Sequence, residues 1–294
     1  MRVAVLVAVA LTLAQAAGAD EVVRKANADP RGEVVIGNVA GEVQVNGWDR
    51  NEVQVRADLS SSVERLDFES SGARTTIKVV LPKGRGSYEA SSDLVVNVPR
   101  GSSLSINTVS ADQIVKDVRG MQRLQAVSGM IQTELYNEDV EIKSVSGDVS
   151  IRGSNGKGVV RLTTVSGDAR LQDIGSEMDL NTVTGDMEVR VKELSRARIK
   201  TTNGNLDMRM AALTRDARID AEGINGDLRF RFPRTLDAEF DIETFNGDIE
   251  NCFGPQPRRS REYGPGNELR FKEGNGDGRI RIKALNGTVE ICNR

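Results

Sequence analysis

Residues 140–171 read VEIKSVSGDVSIRGSNGKGVVRLTTVSGDARL, and the phrase Val-Ser-Gly-Asp occurs twice within them, ending at Asp148 and at Asp168. Around Gly147 the side chains at Val140, Ile142, Ser144, Val149 and Ile151 are apolar or small, and those between them are mostly polar. Around Gly167 the same stations hold Val160, Leu162, Thr164, Ala169 and Leu171. Alternation with period two marks strands buried on one face. No window of comparable length keeps a 3.6-residue period, so the chain reads as all-β.

Working outward, the phrase recurs as Val127-Ser128-Gly129 and Val183-Thr184-Gly185-Asp186. It drifts to Thr202-Asn203-Gly204-Asn205, Ile224-Asn225-Gly226-Asp227, Phe245-Asn246-Gly247-Asp248 and Leu285-Asn286-Gly287-Thr288. A degenerate copy, Val109-Ser110-Ala111-Asp112, precedes them, and the register is already present at Gly41. From Gly129 the spacings are 18, 20, 18, 19, 22, 21 and 40. Two strands and two corners use about 20 residues, so each repeat forms one rung of an elongated β-solenoid, pairing in parallel with its copies. The alternative is a meander of antiparallel hairpins with Ser-Gly or Asn-Gly as the two-residue loop. In the solenoid the glycines are corners with positive φ, and about nine rungs at roughly 4.8 Å make a rod about 40 Å long.

The N-terminus carries a different signal. Arg2 is followed by an almost wholly apolar run, Val3 to Leu13, and then Ala17-Gly18-Ala19 before Asp20. This is the pattern of a secretory signal peptide cut after Ala19, and the run is too short for a span of about 20 residues. The expected organisation is a signal peptide at 1–19, an N-terminal β cap with the first strands at 20–100, and repeats at 101–294 with an insertion at 253–277. The expected location is the periplasm or surface of a bacterium.

Composition narrows the chemistry. The 294 residues include no histidine and two cysteines, with 40 Lys plus Arg against 43 Asp plus Glu. The missing histidine removes Ser-His-Asp and Cys-His catalysis and His-ligated metal sites. A net charge of −3 argues against a dedicated nucleic-acid binder. Scarce aromatics, 4% of the chain, suit a thin interior of small side chains.

The segment Gly41-Glu42-Val43-Gln44-Val45-Asn46-Gly47-Trp48-Asp49-Arg50-Asn51-Glu52-Val53-Gln54-Val55, followed by serial V-S-G-D and N-G-D phrases, resembles the bacterial β-strand-repeat "putative adhesin" family, which is related to head-GIN-domain envelope proteins. The resemblance covers most of the mature chain. It implies a β-solenoid-like fold at the cell envelope and a non-enzymatic role.

Several features have both a chemical and a structural reading. The aspartates after the corners, Asp148, Asp168, Asp186, Asp227 and Asp248, are weak Ca²⁺ candidates, because each corner offers one carboxylate where Ca²⁺ wants six to eight oxygens. Asp after Gly more often caps its own turn. Trp48 is read as packing on the cap rather than stacking on a ligand. Gly153–Gly158 lacks the following helix that a phosphate cradle needs. The stretch 253–267 is a candidate contact loop through Arg258, Arg259, Arg261 and Tyr263, although a solvated insertion is the plainer reading. Cys252 and Cys292 each lie five residues after a repeat glycine. In adjacent rungs their Cα atoms fall within disulfide range, which predicts a bridge and requires 253–277 to loop out.

The residue two before each corner is apolar and by parity points outward. The corner is expected to turn it back into the core, failing which the row forms an exposed apolar stripe needing a partner. No catalytic residue, metal or cofactor is assigned. The expected function is an exported, non-catalytic envelope scaffold or adhesin-like binding module whose partner is an envelope protein or polysaccharide, not nucleic acid. The alternatives are a carbohydrate-active lyase or hydrolase on a β-helix and an envelope-stress sensing or inhibitory domain.

Overall fold

The computed structural model describes residues 20–82, 91–154, 157–175, 177–260 and 265–293, in which twenty-three strands and no helix form one connected sheet system. The signal-peptide reading of 1–19 lies outside these residues. Strand Val140–Ser146 pairs in parallel with Gln122–Ser128 and Val160–Ser166, placing Ile142 between Leu124 and Leu162. Val149–Gly153 pairs in parallel with Ile131–Leu135 and Ala169–Ile174. Ser144 therefore sits opposite Ala126 and Thr164, not Val149. The repeat glycine is a corner between two parallel stacks rather than a hairpin loop. Each corner with its two strands is called here a level and named by its corner residue.

Two constraints converge on that glycine. Gly147 has φ +138°, and a Cβ built there would lie 2.1 Å from the carbonyl oxygen of Gly129. The corners stack backbone on backbone, so the side chain is excluded by the level beneath as well as by the turn. Along the strands the alternation resolves as sequence pattern dictates: Val140, Ile142, Val149 and Ile151 are at most 2% exposed. The aromatic residues are not spread along the interior. Phe230, Phe232, Phe240, Phe253 and Phe271 gather at the C-terminal end, with Phe240 4.5 Å from Phe271 and 5.3 Å from Phe253 between ring centroids. At the other end Trp48 donates its Nε1–H to the Glu52 carbonyl, and Arg50 lies over its ring. Those contacts make it a packing residue.

The stack does not follow chain order. The first strand of the Gly226 level pairs with Gly278–Asn286, which in turn pairs with Ala238–Asn246. The Gly287 level thus lies between those of Gly226 and Gly247, and a Cβ on Gly247 would meet the Gly287 oxygen. At the opposite end Glu33–Trp48 lies between the level of Arg74–Val80 and Ser92–Pro99 and the level of Ala111. The first and last levels in sequence are each inserted one place inside the stack. Antiparallel strands cover the ends: Arg65–Ser70 and Glu52–Leu59 at one, Asn267–Glu273 at the other.

The segment 253–277 completes no level of its own, yet it is not a free loop. Its Asn267–Glu273 strand runs against Ala238–Asn246 and stacks Phe271 on Phe240. An uncovered parallel edge exposes a row of unpaired amides and carbonyls, and the segment removes that edge. The Cys252–Cys292 disulfide is present, with 4.7 Å between Cα atoms, and joins the Gly247 level to the inserted Gly287 level.

Side-chain columns show what favours the inserted order. Six residues before each corner, in stack order, stand Arg123, Glu141, Arg161, Asp179, Arg198, Asp220, Arg281 and Asp241, then Arg270 of the covering strand. The signs alternate throughout. Four residues before the corner, Lys200, Glu222, Lys283 and Glu243 alternate as well, with Lys200–Glu222 at 3.1 Å and Lys283–Glu243 at 2.9 Å. In chain order Asp220 would face Asp241 and Glu222 would face Glu243. The amide column runs the same way: Asn225 donates to Asn203, Asn286 to Asn225 and Asn246 to Asn286.

Candidate functional site: an exposed apolar stripe

The residue two before each corner stays outside. Val109, Val127, Val145, Val165, Val183, Ile224, Leu285 and Phe245 are 44–53% exposed, which overturns the expectation that the corner turns them inward. The reason is local. The pleat still alternates at this position, so Val145 points away from the buried Ser144, and the turn begins only at the exposed Ser146, with a positive φ at Gly147 and most of its counterparts. In stack order these side chains form one column broken only at Thr202, about 38 Å long at roughly 4.8 Å per level. About half of each side chain faces water, so the stripe offers on the order of 600 Å² of apolar surface in two runs either side of Thr202, the size at which such patches mark contact sites.

The flanks differ. On the corner side lie neutral residues, from Ser110, Ser128 and Ser146 to Asn225, Asn286 and Asn246. On the sheet side lie the two charged columns. Their ion pairs run within and between levels: Lys143–Glu141 at 2.7 Å, Arg123–Glu141 at 3.6 Å and Arg270–Asp241 at 3.0 Å. The hydrogen bond and charge of Lys143, with the nearby Arg123, hold the Glu141 carboxyl below the usual range against a smaller opposing effect of burial. At its C-terminal end the stripe runs into a depression of about 550 Å³, where Phe245, Leu285 and Ala284 meet Pro265, between Glu222, Glu243, Glu268 and Lys283.

The other predicted positions fall elsewhere. Asp148 Oδ1 accepts the backbone N–H of Asp168, Asp168 that of Asp186, Asp186 that of Asn205, and Asp227 that of Thr288, at 2.8–3.0 Å. These carboxylates cap the next level rather than their own turn, which corrects the local-capping reading. Asp248 sits on the outermost level, beyond this chain of bonds. Among the described residues no three His, Cys, Asp or Glu side chains converge as a metal set. Arg258 and Arg259 form a short exposed strand against Asn267 and Glu268, while Arg261 and Tyr263 lie outside the described residues. In Gly153–Gly158, Asn155 and Gly156 are likewise outside them.

A second feature escaped the sequence reading. Arg190, Arg209 and Arg231 stack at successive levels and line a depression of about 740 Å³ with Lys192 and Arg234. Each stacked arginine is met by a carboxylate: Arg190 by Glu188 at 2.7 Å, Arg209 by Asp207 at 3.0 Å and Arg231 by Glu290 at 2.6 Å. The column's charge is largely consumed within the protein. Among the described residues no helix is long and apolar enough to cross a membrane.

Comparison with known proteins adds a family. The family model Toastrack DUF4097 matches residues 32–292. No curated protein matches the chain. Among solved structures, a "putative adhesin" of Parabacteroides distasonis is 12% identical, covering 93% of this chain and 97% of its own at a TM-score of 0.48. A "putative adhesin" of Parabacteroides merdae is 12% identical, with 92% and 96% covered and a TM-score of 0.36. A "putative lipid binding protein" of Parabacteroides distasonis is 12% identical, with 93% and 97% covered and a TM-score of 0.35.

Proposed function

From the premise that the chain belongs to the Toastrack DUF4097 family, we propose that it is an exported, non-catalytic scaffold or binding module of the bacterial envelope, built as one elongated β-solenoid. The single observation that carries this is the stripe from Val109 to Phe245. A protein keeps eight large apolar side chains half-exposed in one column, interrupted only at Thr202, when something covers them. Export rests on the Arg2 to Ala19 pattern.

The non-catalytic reading rests on chemistry. With no histidine, an acid–base site would need carboxylates, lysines or a tyrosine tuned by their surroundings. The carboxylates whose pKa moves clearly are all held ionised, among them Glu188 by Arg170 and Asp207 by Arg209, Glu141 by Lys143, and Asp237 by backbone N–H groups. Tyr136 is pushed upward, by burial first and then by Glu134, which makes it a poorer acid.

The test is retention of tagged mature protein by washed cell envelopes. The wild type is retained, and V145S/V165S/V183S, which removes the centre of the stripe without touching the interior, is washed out. Equal retention of the two would dismiss the stripe as the contact surface. Release of reducing sugar or unsaturated uronate from envelope polysaccharide by the wild type would dismiss the non-catalytic reading.

A further inference from the structure

We propose that the partner covering the stripe is a second copy of this chain, packed antiparallel across a two-fold axis between the Val183 and Thr202 levels. The inference rests on the preceding reading that the stripe is a contact surface, and it names the occupant.

Size is the first argument. A two-fold contact buries the same patch twice; about this axis Val109 has no counterpart, so the seven remaining side chains supply about 500 Å² from each copy, roughly 1,000 Å² in total, the least that a specific interface needs. The flanking columns add to this. One stripe alone against a flat partner would bury only half of it in apolar contact.

Shape is the second. The small residues lie toward one end, at Val127, Val145 and Val165, and the large ones toward the other, at Ile224, Leu285 and Phe245. Reversal about the stated axis sets Phe245 against Val127, Leu285 against Val145 and Ile224 against Val165. Every large side chain then faces a small one. The depression beside Phe245 and Leu285 receives the valine end of the other copy. A parallel arrangement would crowd Phe245 onto Phe245 and leave valine on valine at the other end.

Charge is the third and is independent of the stripe. A strictly alternating column is complementary to its own reverse when displaced by one level. About this axis Arg161 meets Asp220, Asp179 meets Arg198, and Glu141 meets Arg281, each twice by symmetry. The one like pair in the neighbouring column is Lys143 with Lys283. Isologous contacts require a patch to complement itself, and this column does so.

Sedimentation of the oxidised mature protein tests the proposal. The wild type sediments at twice its chain mass at micromolar concentration, and V145S/V165S/V183S raises the dimer dissociation constant at least 100-fold with an unchanged far-ultraviolet dichroism spectrum. The charge register has its own test. Arg161→Asp alone sets a carboxylate against Asp220 of the other copy, and Asp220→Arg alone sets a guanidinium against the other copy's Arg161, so each variant is monomeric. Mixed one to one, the two introduced side chains pair with each other across the axis, the native Arg161 of one chain meets the native Asp220 of the other, and the dimer returns.

A wild type that stays monomeric at 100 µM overturns the proposal. So does a dimer indifferent to the stripe variant, or a mixture that fails to recover association. Flotation of monomeric protein with phosphatidylglycerol vesicles, lost in the stripe variant, would hand the surface to lipid instead. A monomer whose envelope retention still depends on the stripe removes the second copy and leaves the binding module standing. A stripe-dependent dimer whose envelope retention ignores the stripe does the reverse.

Discussion

The insertion of the Gly287 level between those of Gly226 and Gly247 should be held in part by charge, and R281D/K283E puts a number on it. In the native stack Arg281 lies between Asp220 and Asp241, and Lys283 between Glu222 and Glu243. Two of these four contacts are formed ion pairs, Arg281–Asp241 at 3.6 Å and Lys283–Glu243 at 2.9 Å. Reversing both charges turns four unlike neighbours into four like ones. Exposed cross-strand pairs contribute about 0.2–1 kcal/mol each. Losing four attractions therefore costs about 2 kcal/mol, and adding four repulsions about as much again. The neutral variant R281Q/K283Q loses only the first part.

Urea denaturation of the oxidised protein separates the two parts. At 50 mM NaCl the charge-reversed variant should be less stable than the neutral one by about 2 kcal/mol. At 1 M NaCl, where the Debye length is about 3 Å, the gap should largely close. Equal stability of the two variants at low salt would refute the reasoning, and so would a gap that persists in 1 M salt. In the second case the order of levels would owe more to the Phe240–Phe271 plug and the covering strand than to the columns.

Three further outcomes follow from the same geometry. Gly147→Ala should cost well over the roughly 1–2 kcal/mol of a left-handed backbone, because its Cβ meets the Gly129 oxygen at 2.1 Å, whereas Gly254→Ala, with φ +112° and nothing within 4 Å, should cost only that amount; thermal melts of both variants check it. C252S/C292S should lose about 4 kcal/mol from the denatured-state entropy of a closure 40 residues apart, and unfolding with and without reductant should show the wild type, but not the variant, weakened by reductant. Acid should also destabilise: Glu141 and Glu188 lie below the ordinary glutamate value of 4.5, chiefly through hydrogen bonds from Lys143 and Arg170, so their contribution is complete above that value and is lost as pH falls through the folded values; stability measured down the acid limb should decline below about pH 4.5 and not between pH 5 and 8.

How much of this is written in the sequence depends on what each column reports. Period two around Gly147 is a property of one strand, so the buried set Val140, Ile142, Val149 and Ile151 is legible from a dozen residues. The disulfide is legible because Cys252 and Cys292 share a station and their levels are neighbours both in chain order and in the inserted order. The exposure of Val145 and its counterparts is available from parity. The expectation that they turn inward fails because the turn begins only after them: Ser144 is buried, Val145 points out by parity, and Ser146 to Asp148 form the corner. The order of levels needs a comparison across repeats. The column Arg123, Glu141, Arg161, Asp179, Arg198, Asp220 alternates in chain order, and Asp241 is where it first fails.

That failure is informative in itself. A parallel stack puts like stations next to each other, so two acids in succession either repel or are separated. Arg281 is the residue that separates them, and it comes last in the chain. The insertion leaves the terminal strands Gly278–Asn286 and Val289–Asn293 paired on both sides, with the outermost edge left to an internal segment and its covering strand. The same device at Glu33–Trp48 shows that it is not an accident of one end. An outer strand is the one from which a parallel stack frays or recruits a neighbour, and here the antiparallel Asn267–Glu273 lies against the outer Ala238–Asn246. With that strand covered, the apolar stripe and the alternating columns are left on the sides of the stack.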